Sequence, residues 1–269
     1  MKTSGVITIT TDFGHKGPFA AVMKGVILSR NPDAKIIDLA HDIPAQWPPE
    51  AGFWVSRSYA WFPTGTVHLA IVDPGVGTER DILVAECDGH LFMAPDNGLL
   101  AQLFDSCDEP RIFKLDMSRL ASLDLPEPSA TFHGRDIFAP VAAELAAGRL
   151  SVNDIATPTQ DWTPGWVEEP EVTAGKVTGI VVTVDTFGNL ISNIDAAMVE
   201  NLDQPVAEIA GHQIPMRETY GRAQPGDYLA LVNSFGVVEI ARAEGSAADG
   251  LGSARGAPLV LRDGFSAYN

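Results

Sequence analysis

The 269-residue chain is poor in cysteine, in positive charge and in long apolar runs, and each shortage removes a class of protein. Its two cysteines, Cys87 and Cys107, stand apart without a Cys-x-x-Cys pair, which argues against a zinc knuckle or a disulfide scaffold. Lys and Arg number 18 against 35 Asp and Glu, a formal net charge of −17. Such a chain repels phosphates, so nucleic acid and an anionic membrane face are set aside as partners. A cationic small molecule remains compatible, although acidity also serves plain solubility. No stretch reaches the roughly 20 apolar residues of a membrane span, and the N-terminal Met-Lys-Thr-Ser-Gly leads straight into a strand pattern. The expectation is a soluble, cytoplasmic protein. Familiar motifs are missing as well. Gly75-Val76-Gly77 lacks the third glycine of a dinucleotide fingerprint, and no phosphate loop, His-Glu-x-x-His or Gly-x-Ser-x-Gly occurs.

What is present is a chain with a core: 45% of residues are hydrophobic and 20% charged. Up to residue 155, strand-like and helix-like segments alternate. Val6 to Thr10, Lys35 to Leu39 and Thr66 to Val72 read as strands, Ile82 to Met93 as a hairpin and Arg111 to Leu115 as a further strand. Between them Phe19, Val22, Met23, Val26 and Ile27 mark a helix with one buried face. Glu50 to Trp61 is a second, with Trp54, Val55 and Trp61 on one side. Leu99 to Phe104 and the stretch around Ile137 to Leu145 complete the helices. This rhythm predicts an α/β domain over 1–155 with a mostly parallel sheet. Residues 156–172, with Pro158, Pro164 and Pro170, read as a linker. From 173 to 269 short strand candidates separated by Gly, Asn and Pro predict a smaller all-β, barrel-like domain.

In α/β sheets ligands gather at the carboxyl ends of the strands. Here those ends carry Asp12, His41-Asp42 and Asp73, with Arg80 within reach of Asp73 across the Gly75 and Gly77 turn. Asp96-Asn97-Gly98 and His133-Gly134-Arg135-Asp136 follow. Each has a plain structural reading, Asp12 and Asp136 as helix caps and Asp73-Pro74-Gly75 as a turn. Their collection on one rim argues for a site. A divalent cation on Asp12, His41, Asp42, Asp73 and His133 is chemically reasonable, yet the spacing specifies none.

Seven segments in order resemble one family, the S-adenosyl-L-methionine (SAM) hydrolases that form adenosine, also called SAM hydroxide adenosyltransferases, relatives of the fluorinase and chlorinase. They are Thr11-Asp12-Phe13-Gly14, Ala40-His41-Asp42-Ile43-Pro44, Val72 to Gly77 with Arg80, Ala94 to Leu100, Thr131 to Asp136, Asp185 to Leu190 with Asn193, and Asn233 to Gly236 leading into Glu239. The resemblance implies an α/β domain and a β-barrel, a homotrimer with inter-subunit active sites, and SAM as substrate with no metal or organic cofactor. It assigns catalysis to Asp73, Arg80 and His133, and the ribose hydroxyls to Asp12. Phe187, Asn189, Asn233 and Ser234 would contact adenine or methionine, and Trp47, Phe132, Asp185 and Glu239 complete the implied substrate site. Phe187 also has a core reading.

Three departures from the halogenating relatives favour water as nucleophile. The long insertion after Arg80 is absent, Asp73, Arg80 and His133 are present, and Gly134 stands where the fluorinase offers a serine. One departure separates the chain from the family it resembles too: His15-Lys16-Gly17-Pro18 lacks the acidic residue common near Gly17. The chemistry expected is attack of water or hydroxide on ribose C5′, with methionine leaving as a neutral thioether that needs no general acid. Asp73 and His133 both qualify as proton acceptor. The rival readings are a SAM-dependent halogenase, a non-catalytic SAM- or adenosine-binding protein, and a metal-dependent hydrolase.

Overall fold

Val6–Thr11, β1, is β-branched at every position (VITITT), a composition that suits a pleated strand covered on both faces, and all six residues are buried. In the computed structural model, which describes residues 2–264, β1 lies inside a seven-stranded sheet. The others are β2 (Lys35–Ala40), β3 (Val67–Ile71), β4 (Ile82–Cys87), β5 (His90–Pro95), β6 (Arg111–Leu115) and β7 (Ala156–Pro158), in the order β2-β1-β3-β5-β4-β6-β7. β1 runs parallel to β2 and β3, and β3 parallel to β5. β4 pairs antiparallel with β5 and β6, and β6 with β7. The sheet is therefore mixed rather than mostly parallel. The cause is local: Asp88 and Gly89 take φ of 47° and 78°, the two-residue turn that folds β4 and β5 into a hairpin.

Period-two alternation sends each strand's side chains to two cores. Ile7, Ile9, Leu69 and Met93 pack on one side with Met23 and Ile27 of α1 (Phe19–Arg30) and Val141 of α4 (Ala139–Ala146). Ala70, Phe92 and Ala94 pack on the other with Val55 of α2 (Pro48–Ser58) and Leu103 of α3 (Ala101–Ser106). The inward stripe of α1 is Ala20, Met23 and Ile27; Phe19 and Val22, expected on it, stay 49% and 38% exposed. α2 begins at Pro48 and ends at Ser58. A 3-10 turn, Tyr59–Trp61, then swings Trp61 out to 80% exposure, away from Val55.

Two further segments differ from expectation. Ala156–Pro158, in the stretch read as a linker, is the edge strand β7. Cys87 and Cys107 form a disulfide, their Cα atoms 6.1 Å apart, because the end of β4 and the residue after α3 meet across the fold. Their separation of 20 residues carries no sign of it. Among the described residues no helix is long and apolar enough to cross a membrane.

The chain divides into two units after Trp166. The second holds β8 (Glu171–Thr173), β9 (Lys176–Val184), β10 (Leu190–Asp195), β11 (Val206–Ile209), β12 (His212–Pro215), β13 (Tyr228–Val232), β14 (Val237–Arg242) and β15 (Pro258–Arg262). They form one antiparallel sheet ordered β12-β11-β15-β9-β10-β14-β13, with β8 on β9. A bridge between Met216 and Ala230 brings its two ends together, so the sheet is nearly a closed barrel around Val177, Val181, Leu190, Val238 and Leu259.

Gly52, inside α2, tests how tightly the first unit is packed. Exchanging a mid-helix glycine for alanine ordinarily stabilises by about 0.5–1 kcal/mol. Here the new Cβ would lie 2.1 Å from the Leu99 carbonyl oxygen, a backbone atom that cannot step aside. Overpacking costs about 1–3 kcal/mol and wins. Gly52→Ala is expected to lower the urea midpoint, and an unchanged or raised midpoint would contradict this packing.

Candidate functional site

The carboxyl ends of β2, β1 and β3 lie side by side because the three strands are parallel neighbours. Asp12 follows β1 and Asp73 follows β3. Because β4 returns antiparallel from the same edge, Arg80, just before it, reaches that rim as well. Its guanidinium forks onto Asp73, with Nε 3.0 Å from Oδ1 and 3.1 Å from Oδ2 and with Nη2 on Oδ2. The same Nη2 donates to His133 Nδ1 at 3.0 Å. The side chains of Asp73 and Arg80 keep only 6% and 11% of their exposure, so their attraction is screened far less than that of a surface pair.

The fork decides the state of His133. A guanidinium has no acceptor, so Nδ1 must accept and a neutral ring carries its proton on Nε2. Burial and the Arg80 cation lower the pKa of His133 against the smaller opposing pull of Asp73 and Asp136, which keeps the ring neutral at pH 7. His133 opens a π-helical turn, Gly134–Phe138, that runs into α4. Gly134 belongs there because a Cβ would press on Met23 Sδ at 3.2 Å and Phe132 Cε2 at 3.4 Å. The two loops that carry the site also touch. Gly77, at φ 79°, approaches the Ala130 carbonyl so closely that a Cβ would sit 2.1 Å from it. A cavity of about 280 Å³ opens beside Arg80 and His133, lined also by Thr78, Ile82 and Ile137.

The other expected residues of this unit hold definite places. Asp12 Oδ2 accepts the Gln46 N–H at 2.9 Å, and Gln46 takes φ 60° to aim it. Phe132 sits in an aromatic trio with Phe13 and Phe19, ring centroids 5.9 and 5.6 Å away. Trp47 meets Trp166 edge to face at 5.9 Å, and Trp166 Nε1 donates to the Asn97 carbonyl at 2.8 Å. Asn97 Nδ2 in turn donates to the Val72 carbonyl at 2.8 Å and so ties down the strand end that bears Asp73.

The second unit gathers a separate cluster. Asp185 Oδ1 accepts the N–H groups of Phe187 and Asn189, both at 2.9 Å, and Oδ2 accepts Asn189 Nδ2 at 3.0 Å. The turn needs Gly188, at φ 81°, because a Cβ would strike Ser246 Oγ at 2.3 Å. It holds the Phe187 ring in water, 80% exposed, so the core reading of Phe187 is set aside. On β14 Glu239 is buried, and burial together with the charge of Asp185 raises its pKa against the hydrogen bonds it receives. Those come from Tyr220 Oη at 2.5 Å and Asn233 Nδ2 at 3.1 Å. Ser234 lies exposed in the turn after Asn233. Sequence reasoning misses Tyr220 and Gln46. Tyr220 lies outside every recognised motif, and a strained glutamine announces itself only through its backbone.

Comparison with known proteins follows the same division. A family model described as the SAM hydroxide adenosyltransferase N-terminal domain matches residues 7–156, and that of its C-terminal domain matches 179–260. The chain is 37% identical over 265 residues to a protein of Thermus thermophilus named (R)-S-adenosyl-L-methionine hydrolase, covering 93% of this chain and 97% of that one. It is 31% identical to a protein of the same name from Methanocaldococcus jannaschii, covering 88% of each. A fluorinase of an Actinoplanes species is 25% identical over 88% of this chain and 90% of its own. In structure it resembles an uncharacterized conserved protein of Thermotoga maritima, with TM-score 0.86 at 32% identity over 95% of this chain and 99% of that one.

The electrostatics of His133 can be read directly. Its ring is expected to titrate below the ordinary 6.5 in an NMR pH series. Arg80→Met removes the cation that lowers it and exposes it to Asp73, so its midpoint is expected to rise. A midpoint that stays in place would break the assignment.

Proposed function

Because the chain belongs to the SAM hydroxide adenosyltransferase family, we propose that it hydrolyses SAM to adenosine and L-methionine at the Asp73, Arg80 and His133 rim. It is an enzyme, a SAM hydrolase. The observation that carries the mechanism is the Arg80 fork, which links a carboxylate to a neutral histidine. The attacking water donates to the Asp73 carboxylate, and His133, accepting from the same guanidinium at Nδ1, holds Arg80 in place beside it. The Arg80 cation beside the cavity favours a hydroxide-like oxygen. Since Nδ1 of His133 is occupied and Nε2 already bears its proton, Asp73 takes the proton of the water. The oxygen–C5′ bond forms as the C5′–sulfur bond breaks, and the bonding pair returns to the sulfonium, which leaves as a neutral thioether. No Lewis acid is required at such a leaving group, so the reading includes no metal and no organic cofactor.

Asp12, with one oxygen held by Gln46, takes the ribose diol, and Trp47 and Phe132 line the substrate. Phe187 is a stacking surface for adenine, and Asp185, Asn189, Asn233, Ser234 and Glu239 receive its polar edges or the methionine portion. A cytoplasmic homotrimer with inter-subunit active sites is part of the same proposal. Its support is the large apolar side chains left on the surface, among them Phe19, Ile37 and Phe187.

Incubation of the pure protein with SAM, chloride and EDTA in 18O-water tests the reading. The expected product is adenosine labelled at the 5′ oxygen, with unchanged yield in EDTA. Asp73→Asn and His133→Ala are each expected to lower kcat by roughly 10²–10⁴. A 5′-chlorinated nucleoside, unlabelled adenosine, or loss of turnover in EDTA would sink it.

A further inference from the structure

His41 follows β2 and contacts the turn that carries Asp12 at both of its ends. Its Nδ1 lies 2.8 Å from Thr11 Oγ1, before Asp12, and its backbone carbonyl accepts the Gly14 N–H at 2.8 Å, after it. Thr11 Oγ1 also accepts the Phe13 N–H at 3.2 Å, so its own proton is free to go to His41 Nδ1. The other ring nitrogen, Nε2, lies 3.0 Å from Asp38 Oδ1, a charge contact that is not aligned as a hydrogen bond, so Thr11 is the one side chain hydrogen-bonded to the ring among the described residues. Lys24 Nζ sits 2.6 Å from Asp38 Oδ2 and anchors that carboxylate from α1. His41 and Thr11 are buried, at 3% and 0% exposure, so their contact is not shared with bulk water. None of the steps assigned above uses His41.

We propose that His41 is a positioning residue that holds the Asp12 turn in the geometry needed to receive a vicinal diol, acting through Thr11. The proposal rests on the reading of Asp12 as the ribose contact. It differs from a merely structural role in what it protects. A structural histidine would affect all ligands and the fold alike, whereas a clamp on Asp12 affects the ligand's hydroxyls. The two ring nitrogens can be separated by substitution. Asparagine places an amide where Nδ1 stood and keeps the Thr11 contact, while glutamine reaches the Nε2 position and loses it.

The test compares binding of adenosine and 2′,3′-dideoxyadenosine by calorimetry, beside steady-state kinetics with SAM. The unaltered protein is expected to prefer adenosine. His41→Gln and Thr11→Val are expected to lose about tenfold of that preference, the worth of one buried hydrogen bond. They should also raise KM for SAM while kcat is held. His41→Asn should keep most of the preference. Asp38→Asn, at a part-exposed position, provides a milder variant should the buried substitutions fail to fold. It is expected to lose part of the preference.

Equal weakening towards both nucleosides would overturn the clamp, as would an asparagine variant as damaged as the glutamine one. So would an unaltered protein that does not distinguish the two nucleosides. Absence of adenosine formation from SAM by the unaltered protein would instead sink the hydrolase reading, and the nucleoside comparison would still decide the clamp.

Discussion

A guanidinium can only donate, and that asymmetry orders the whole rim. Arg80 has to face acceptors, so one side of its fork takes the Asp73 carboxylate and the remaining Nη2–H takes the lone pair of His133. Every other property of the centre follows: the tautomer of the histidine, its neutrality, and which group is left to receive a proton. A lysine could not hold this arrangement, because a single ammonium offers no planar fork to join two partners at fixed angles.

The scaffold serves that fork by bringing distant segments together at one edge. Parallel pairing of β2, β1 and β3 aligns their ends, and the tight turn after Asp73 sends the chain back into the antiparallel β4 so that Arg80 faces Asp73. The mixed sheet is thus part of the site's construction. A β4 parallel to β3 would need a crossover of about a dozen residues or more. Arg80 comes only seven positions after Asp73, a separation that suits the antiparallel return. In the second unit an Asx turn does comparable work on a smaller scale, fixing Phe187 outward and Asn189 inward from a single carboxylate.

Much of this is legible in the amino-acid sequence alone. The ends of β1, β2 and β3 can be placed from β-branched alternation, and Asp12, Asp73, Arg80 and His133 stand at those ends or beside a helix start. What stays hidden depends on pairings between segments remote in sequence. The direction of β4 hinges on two residues in a left-handed turn, while the alternation of β4 itself is the same for either direction. The Cys87–Cys107 bridge joins a strand end to the residue after a short helix, and neither flank carries a signal. Periodicity places Phe19 and Val22 on the inner face of α1, but the stripe begins one residue later, at Ala20, and a helical offset of one residue turns the ring outward. Tyr220 escapes because its partner, Glu239, lies across two strands of the barrel.

The disulfide has a chemical consequence for a protein that handles SAM. A sulfonium-activated carbon is an alkylating agent, and among protein side chains a thiolate is the nucleophile most able to compete with water for it. Both cysteines of this chain are tied to each other and buried, at 2% and 7% exposure. The bridge withdraws both thiols of the chain from its own reactive substrate, so self-alkylation at a thiolate has nowhere to begin.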